Sequence, residues 1–219
     1  MPAVDKHLVP AVTVPRLAVY LRKLRELQSR DVERVSSKEL AAMIDLNAAQ
    51  IRKDFSYFGE FGTRGVGYEV PRLIAEITGF LGLDRTWNVI IVGAGLLGTA
   101  LARYRGFAEQ GFKLVGMFDS SPTVIGQSFD GGRVRPVGEL ESFCAETPVD
   151  IALITVPASE AQATADRLVA AGVRAIVNFA PEKVAVRPGV IVRPVDLSSE
   201  LMFLSFSLVE AAGEGEPSP

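Results

Sequence analysis

The stretch NVIIVGAGLLGTA, residues 88–100, sets an apolar run directly before three glycines in the pattern GxGxxG. Gly93 permits a tight turn, Gly95 lets the backbone approach a pyrophosphate, and Gly98 lets the following helix pack closely on the strand. Asp119 closes the next apolar run, 21 residues beyond Gly98, near the spacing expected of an acid that binds ribose hydroxyls. Strand, glycine turn, helix, strand and acid together predict a dinucleotide-binding unit; a glycine turn without a ligand is the alternative.

The alternation of strand and helix continues through the rest of the chain. Strand-like apolar runs at 89–92, 113–118, 151–156 and 173–179 alternate with helical patterns at 97–110, 138–145 and 159–171, and a short strand at 190–192 precedes an apolar helix at 197–210. Near-continuous apolar strands that alternate with helices predict a doubly wound parallel sheet, the Rossmann arrangement of the α/β class.

Composition excludes several classes of protein. The 219 residues are 48% hydrophobic and 22% charged, as in ordinary globular proteins, and the single cysteine, Cys144, allows no internal disulfide framework. The longest uncharged stretch, 86–102, contains the three glycines of the turn, so we expect no membrane span and no membrane partner. The N-terminus carries charges early and lacks the apolar core of a signal peptide. We therefore expect a cytoplasmic protein, and we expect no bound metal.

The first 85 residues differ from the rest in charge and in pattern. They carry 13 Lys and Arg against 11 Asp and Glu, whereas residues 86–219 carry 10 against 15. This asymmetry only weakly suggests that the N-terminal part meets phosphate. Apolar residues at helical spacing predict an amphipathic first helix at 15–28 and a helix at 71–81 before the nucleotide unit.

Two shorter helices are predicted between these. Ser36 or Ser37 can cap a helix at 38–44, with Glu39 placed to complete a capping box from Ser36. Asn47 can then cap a third helix at 48–58. Two short helices joined by a tight turn predict a helix-turn-helix.

The third of these helices has an outward face suited to DNA. Ile51 and Phe55 belong to an apolar arc that must face the core, and Lys53 lies almost opposite this arc. Lysine can reach guanine or phosphate, glutamine can pair with adenine, and hydroxyl groups can hold phosphate. The candidate DNA-binding residues of this segment are Asn47, Gln50, Arg52, Lys53, Ser56 and Tyr57, with Arg52 placed to clamp the DNA backbone. An ordinary solvated helix face is the alternative.

A glycine-rich segment follows this helix. Residues 59–68 contain four glycines around Phe61, Arg64 and Tyr68, as expected of a tight hairpin with a basic tip. A hairpin directly after a recognition helix is the wing of a winged helix, and its Arg64 could enter the minor groove. A structural glycine loop with a solvated Arg64 is the alternative.

The sequence resembles a known family, the Rex proteins, which are NADH-responsive redox-sensing transcriptional repressors of bacteria. The most specific stretches are RKDFSYFGEFG at 52–62 and RGVGY at 64–68, upstream of the nucleotide fingerprint. VDL at 195–197 and the apolar C-terminal segment also look like the family's tail, so the resemblance extends from the first helix to about Glu210. The chain departs from the family's nucleotide turn, which often has Asn and a basic residue where this chain has Leu96 and Thr99.

The pattern and the resemblance together imply a domain organisation and a mechanism. The break in pattern near 82–87 divides the chain into a winged-helix DNA-binding domain at 1–85 and a Rossmann NAD(H)-binding domain at 86–196, and the polar, Gly/Pro-rich end at 213–219 is expected to be disordered. The resemblance implies that the helix at 197–212 is swapped between the subunits of a homodimer. The homodimer would bind a palindromic operator in double-stranded DNA and be released by NADH, whereas NAD⁺ would compete for the same site without that effect. The two cofactors must then differ in their affinity for the two conformations, because equal affinity shifts nothing.

Candidate residues follow for the cofactor and for the switch. An apolar nicotinamide pocket would favour the neutral reduced ring, and the carboxyl ends of the strands are where it must form. The cofactor candidates are Gly93, Ala94, Gly95, Leu96, Leu97, Gly98, Asp119, Val156, Pro157, Phe179, Ala180 and Tyr104, the last on the first Rossmann helix, where simple packing is as good an explanation. Asp119 should prefer NAD(H) to its 2′-phosphorylated form. Asp196 is expected to pair with Arg16 or Arg22 in one of the two states, and a helix N-cap is its alternative role.

An NAD-dependent dehydrogenase is the rival class. Hydride transfer to a carbonyl generally needs a proton donor beside the nicotinamide, most often histidine or a Tyr/Lys pair. The only histidine is His7, in the N-terminal tail, and Tyr104 is the only tyrosine of the nucleotide unit. We therefore expect no catalysis. A nucleotide-binding partner protein without DNA affinity is the third possibility, but it would have no need of Lys53 and Arg64 on an exposed helix and wing.

Overall fold

The chain divides into two compact units, Met1–Arg85 (unit 1) and Thr86–Pro219 (unit 2). The structure, a computed structural model, describes residues 9–58, 62–63 and 67–213, with side chains described for 9–58 and 67–210. The predicted minor-groove residue Arg64 and the tail at 214–219 lie outside the described residues. Each unit contains its own core of buried apolar side chains.

Unit 1 is a helical domain with a small antiparallel sheet. Its helices are α1 Thr13–Gln28, α2 Ser37–Ile44, α3 Ala48–Ser56 and α4 Val70–Leu81, and its strands are β1 Arg34–Val35, β2 Gly62–Thr63 and β3 Gly67–Glu69. The strands pair in the order β1-β3-β2, and β2 and β3 form the predicted hairpin after α3. This is the winged helix-turn-helix arrangement.

Local sequence determines where α2 and α3 begin. The Ser36 side chain accepts a hydrogen bond from the backbone N–H of Glu39, and the Glu39 carboxylate accepts one from the backbone of Ser36, which completes the predicted capping box. Asn47 caps α3 by accepting from the N–H of Ala49 at 2.7 Å. The helix ends at Ser56 rather than at Phe58, and the side chain of Phe58 is buried in the core.

Unit 2 contains a six-stranded parallel sheet. The strands of unit 2, in chain order, are β4 Trp87–Val92, β5 Phe112–Asp119, β6 Ser128–Phe129, β7 Gly132–Arg133, β8 Arg135–Pro136, β9 Ile151–Ile154, β10 Ala175–Asn178 and β11 Ile191–Pro194, and six of them form the sheet. The sheet order is β11-β10-β9-β4-β5-β8, with every pairing parallel, and β6 and β7 form a separate antiparallel hairpin. The order reverses beside β4, at its boundary with β9, which is where doubly wound sheets bind ligands.

The helices of unit 2 agree with the expected alternation apart from one. They are α5 Leu96–Ala102, α6 Gly106–Glu109, α7 Leu140–Glu146, α8 Ala158–Ala170 and α9 Leu197–Gly213. The prediction of a single helix at 97–110 is wrong, because α5 ends at Ala102 and a separate helix, α6, begins at Gly106. The amides of Arg103 and Tyr104 bond three residues back, to Ala100 and Leu101, as in a tightened last turn. Tyr104 therefore lies between two short helices.

The last helix has an unusual surface for a single chain. The large apolar side chains of α9 are between 56% and 72% exposed; they are Leu197, Leu201, Met202, Phe203, Leu204, Phe206, Leu208 and Val209. Such a contiguous apolar surface usually marks an interaction site. Among the described residues, no helix has both the length and the apolar character needed to cross a membrane.

Candidate functional site

The glycine turn between β4 and α5 is shaped by close packing. Gly93 has a φ of +106°, and a Cβ at that position would lie 2.6 Å from the carbonyl oxygen of Thr155. A Cβ at Gly98 would overlap the carbonyl oxygen of Gly93. Gly95 differs from both, since a Cβ there would meet no atom within 4 Å. Two of the three glycines are therefore required by the protein itself, whereas the third leaves space for something to approach.

Thr155 stabilises the turn with a hydrogen bond from its hydroxyl, a role that the sequence did not reveal. Its hydroxyl donates to the carbonyl oxygen of Gly93 at 2.7 Å and lies 3.1 Å from that of Val92. Thr155 follows β9 directly, so this bond links the neighbouring strand ends beneath the turn. The sequence did show a polar β-branched residue directly after an apolar strand. Its role could not be inferred from that alone, because the hydroxyl reaches the turn only through the parallel pairing of β4 with β9.

Asp119 lies beside the same turn. Its Oδ2 accepts from the N–H of Ala94 at 2.5 Å, and its Oδ1 accepts from the N–H of Ser121 at 2.7 Å. A carboxylate offers about four acceptor positions, so two N–H donors leave capacity for two hydroxyl donors. This geometry fits an acid that holds the ribose of a nucleotide while it also fixes the turn.

A cleft of ≈ 420 Å³ opens along this turn. It brings together five of the predicted cofactor residues: Gly93, Gly95, Asp119, Val156 and Pro157. Its remaining walls are Val92, Ser120, Val137, Thr155, Glu160 and Thr164. An open glycine backbone, a carboxylate with free acceptor capacity and an apolar far wall suit the pyrophosphate, ribose and nicotinamide of a dinucleotide.

Other predicted cofactor residues lie outside this cleft. Leu96 is 96% exposed at the first position of α5, and a second cavity of ≈ 510 Å³ contains it with Ala94, Thr99 and Arg103. Ala180 lines a cavity with Asn178 and Asp196. Leu97 is exposed, Phe179 packs against the apolar core, and the ring of Tyr104 stacks edge-on against Phe107 at 5.1 Å. The structure therefore does not place Leu97, Phe179 or Tyr104 in the cleft that Gly95 and Asp119 line.

The residues of α3 that are predicted to face DNA divide into two groups, those with exposed side chains and those that contact the rest of unit 1. Lys53 is exposed on the outer face, as expected, and the hydroxyl of Ser56 donates to the carbonyl of Lys53. The Arg52 guanidinium, also exposed, reaches Ser37 at 3.2 Å and so touches the start of α2. Tyr57 is half-buried against the core rather than fully outward. Gln50 is half-buried and donates to Asp54.

Asp54 is the principal residue that sequence reasoning missed. It is fully buried on α3, and Arg16 of α1 holds it with two hydrogen bonds of 2.7 and 2.8 Å. Tyr20 of α1 donates its hydroxyl to the same carboxylate at 2.7 Å. Burial acts to raise the pKa of Asp54, but the hydrogen bonds from Arg16, Tyr20 and Gln50 outweigh it, so the pKa lies below its usual value.

The available signal was the position of Asp54 on the apolar arc. It lies three residues after Ile51 and four before Phe58, both of which are buried. An acid within such an arc needs a donor from another element. The spacing of Arg16 and Tyr20, four residues apart, places both on one face of α1. Nothing in the sequence says that this face meets α3.

The three switch candidates have separate surroundings. Arg16 is engaged with Asp54 inside unit 1, and Arg22 is exposed on α1. Asp196 precedes α9, and its Oδ1 accepts from the N–H of Ser198 at 2.9 Å, as a helix N-cap does. The proposed pairing of Asp196 with an arginine stays a prediction for another state of the protein.

Comparison with known proteins agrees with this division of the chain. The family model described as CoA binding domain matches residues 84–182, and the one described as putative DNA-binding protein N-terminus matches residues 8–56. The redox-sensing transcriptional repressor Rex of Streptomyces avermitilis is 49% identical over 97% of this chain and 84% of its own length.

Two solved structures of RSP, a Rex-family repressor, extend the match to three dimensions. RSP in complex with β-NAD⁺ and operator DNA superposes with a TM-score of 0.87 and 41% identity, covering 96% of this chain and 99% of that one. RSP in complex with β-NADH superposes with a TM-score of 0.84 and 41% identity, covering 94% and 96%.

These relatives are named as transcriptional repressors and not as enzymes, which decides against the dehydrogenase alternative. Identity near one half over almost the whole chain covers the N-terminal DNA-binding domain and the Rossmann-like sheet alike. The chain belongs to the Rex family of redox-sensing transcriptional repressors.

Proposed function

We propose that this chain binds a palindromic operator as a homodimer through unit 1 and is released from it when NADH occupies the cleft of unit 2. The observation that carries the proposal is the cleft itself, which joins the open backbone of Gly95 to the carboxylate of Asp119 in a protein that also has a helix-turn-helix. RSP has been solved with β-NADH and with β-NAD⁺ and operator DNA, which supports both ligands. A repressor must meet chromosomal DNA, so we assign it to the cytoplasm.

The cofactor assignment rests on the geometry of the cleft. The backbone at Gly95 is open for a pyrophosphate, and the spare acceptor positions of Asp119 suit the ribose hydroxyls. A 2′-phosphate would be repelled by this carboxylate, so NADH and NAD⁺ are the proposed ligands rather than their phosphorylated forms. Val156 and Pro157 supply an apolar wall that favours the neutral reduced ring over the cationic oxidised ring.

The DNA assignment rests on the outer face of α3. The Lys53 ammonium is free to reach phosphate or guanine. Arg52, the residue before it on α3, reaches Ser37 at the start of α2, where it can hold the DNA backbone. Asn47, Gln50, Ser56 and Tyr57 complete the proposed contact surface. Arg64 is proposed for the minor groove on the strength of its place between β2 and β3.

The homodimer assignment rests on α9. Its exposed apolar side chains face water at a cost of about 2 kcal/mol for each large side chain, which burial against a second copy would recover. We propose that α9 is exchanged between two subunits and that Asp196, at its start, meets Arg16 or Arg22 in one of the two states. Arg16 would then have to leave Asp54, which makes the two pairings alternatives.

Operator binding measured with and without NADH tests the central proposal. The full chain is titrated into a fluorescent duplex from the promoter of its own operon, and anisotropy is read with no nucleotide, with NAD⁺, with NADH and with NADPH as the matched control. We expect binding that weakens steeply with salt and is lost with NADH but not with NADPH. Consumption of NADH without DNA binding, or binding that NADH leaves unchanged, would overturn the proposal.

The dimer is tested at α9. Phe203→Glu should convert the dimer to a monomer in light scattering, because it buries a charge in the proposed interface. Ser199→Glu, which adds the same charge in the first turn of the same helix, should leave the mass unchanged. A monomeric unaltered chain would contradict the swapped dimer.

A further inference from the structure

The Asp54 carboxylate accepts four hydrogen bonds. Its Oδ1 accepts from Arg16 Nη2 and from Gln50 Nε2, both at 2.8 Å. Its Oδ2 accepts from Arg16 Nε and from the hydroxyl of Tyr20, both at 2.7 Å. A carboxylate has about four acceptor positions, so these donors occupy all of them. Gln50 is the only one of the donors that belongs to the outward face proposed to read DNA.

This arrangement determines which way the Gln50 amide points. An ionised carboxylate accepts and cannot donate, and the guanidinium of Arg16 keeps Asp54 ionised at neutral pH. The amide must therefore turn its nitrogen toward Asp54, because its oxygen would meet another acceptor there. One N–H of the amide is committed to Asp54. The oxygen and the other N–H form an adjacent acceptor and donor when the N–H that bonds to Asp54 is the one pointing away from the oxygen, and the proposal requires that arrangement.

That adjacent pair is what adenine requires. A glutamine that recognises adenine accepts from N6 and donates to N7 in the same plane, and a flipped amide would present these groups in reverse. Glutamine has three rotatable bonds, and a free side chain must be ordered when it binds. Asp54 orders it in advance, four residues along the same helix and already fixed by α1.

We propose that Asp54 is a positioning residue for base recognition: it holds the Gln50 amide in the one orientation that selects adenine at a single position of each operator half-site. The inference rests on the proposed binding of operator DNA by α3. A purely structural alternative exists, in which Asp54 only attaches α1 to α3 through Arg16 and Tyr20. The two alternatives differ in what happens to base preference when overall folding is kept.

In vitro selection from a random duplex library separates them. The full chain is compared with Gln50→Ala, with Asp54→Asn and with Tyr20→Phe, and the preferred base at every position is read by sequencing. Tyr20→Phe is the matched control, since it removes a donor to Asp54 Oδ2 without touching Gln50. Asparagine at 54 presents both an acceptor and a donor, so the Gln50 amide can bond to it in either orientation.

We expect Gln50→Ala and Asp54→Asn to lose preference, on the order of tenfold, at the same single position, with the other positions unchanged. Tyr20→Phe should keep the full preference. A uniform loss of affinity in Asp54→Asn with all base preferences intact would overturn the positioning role and leave the structural one. Failure of the unaltered chain to select any duplex would instead contradict the proposed function.

A second measurement needs no change at Asp54. In the full chain, the side-chain N–H signals of Gln50, assigned by their loss in Gln50→Ala, are followed by NMR during exchange with D₂O. A bonded N–H should exchange at least tenfold more slowly than the amide of Gln28, which is exposed at the end of α1. Equal exchange rates would overturn the proposal even if Asp54→Asn failed to fold.

Discussion

The two candidate sites of this molecule are held in place by different means. In unit 2, the turn at Gly93 and Gly98 depends on backbone packing that leaves no room for a Cβ. In unit 1, the orientation of α3 depends on a buried side-chain carboxylate, Asp54, and on donors that come mainly from α1. A site built on backbone tolerates changes around it but not at its glycines. A site built on side chains is sensitive to residues far away in the chain.

A substitution at Gly98 gives the most severe test of the idea that backbone packing holds the turn of unit 2. Gly98→Ala forces a methyl group into the carbonyl of Gly93, so we expect the free energy of unfolding of unit 2 to fall by about 3 kcal/mol and NADH binding to be lost. Gly95→Ala is the matched control, because its methyl group meets open space in the protein. Urea unfolding followed by the fluorescence of Trp87 and NADH titration measure the two quantities.

Gly95→Ala should leave the free energy of unfolding within about 0.5 kcal/mol. It should nevertheless weaken NADH binding roughly tenfold, because the methyl group lies where the pyrophosphate must approach. Equal loss of stability in the two variants would mean that the backbone packing described for Gly98 is not what holds the turn.

The difference between the sites also explains what the sequence could predict. The nucleotide turn was predictable because its glycines, its strands and Asp119 repeat a local pattern of fixed spacing. The Asp54 network was not predictable, since its partners on α1 are 34 and 38 residues distant and no sequence periodicity indicates such a contact. The cap residues Ser36 and Asn47 were predicted correctly for the same reason as the glycines, because a cap acts on its own helix.

Short elements escaped prediction for a further reason. Strands β1, β6, β7 and β8 have two residues each, too few to show an alternating pattern. The break after Ala102 was also missed, because the apolar spacing continues across it into α6 while the backbone does not. The exposure of α9 could be anticipated from its lack of polar faces, although the sequence does not say what covers it.

The side-chain site is tested by removing its cation. Arg16→Met leaves the Asp54 carboxylate buried without its ion-pair partner, so we expect the free energy of unfolding of unit 1 to fall by about 3 kcal/mol. Arg22→Met removes an exposed cation from the same helix and should change it by less than about 0.5 kcal/mol. Hydrogen exchange of the α1 and α3 amides in urea measures both. A similar small change in the two variants would mean that the pair contributes nothing.

Acid should distinguish the two sites as well. The pKa of Asp54 is lowered in the folded protein, so its stabilisation is complete above the unfolded value of about 3.9 and is lost as pH falls toward the lower folded value. We expect unit 1 to lose up to about 1.4 kcal/mol per pH unit in that window, a dependence that Asp54→Asn should remove. Hydrogen exchange corrected for its intrinsic rate reports this, and identical pH profiles of the two proteins would contradict it.

A smaller effect is expected where unit 2 does use a side chain. Thr155→Val keeps the shape of the residue but removes the hydroxyl that donates to Gly93, which should cost about 1 kcal/mol of the free energy of unfolding. Thr155→Ser retains the hydroxyl and should cost less. If serine proved more destabilising than valine, the methyl packing of Thr155 rather than its hydrogen bond would be responsible.

An effect of similar size is expected at Asn47, where a cap and a proposed DNA contact coincide. Asn47→Ala removes the acceptor for the N–H of Ala49 and should lower the free energy of unfolding of unit 1 by about 1 kcal/mol. Asn47→Ser keeps a capping oxygen, so stability should be nearly unchanged, and operator affinity then isolates the DNA role. Because a shorter side chain caps as well but reaches less far, weaker binding by the stable Asn47→Ser protein would assign Asn47 to the DNA surface. Full binding would assign it to the helix alone, where its side chain caps the first turn of α3.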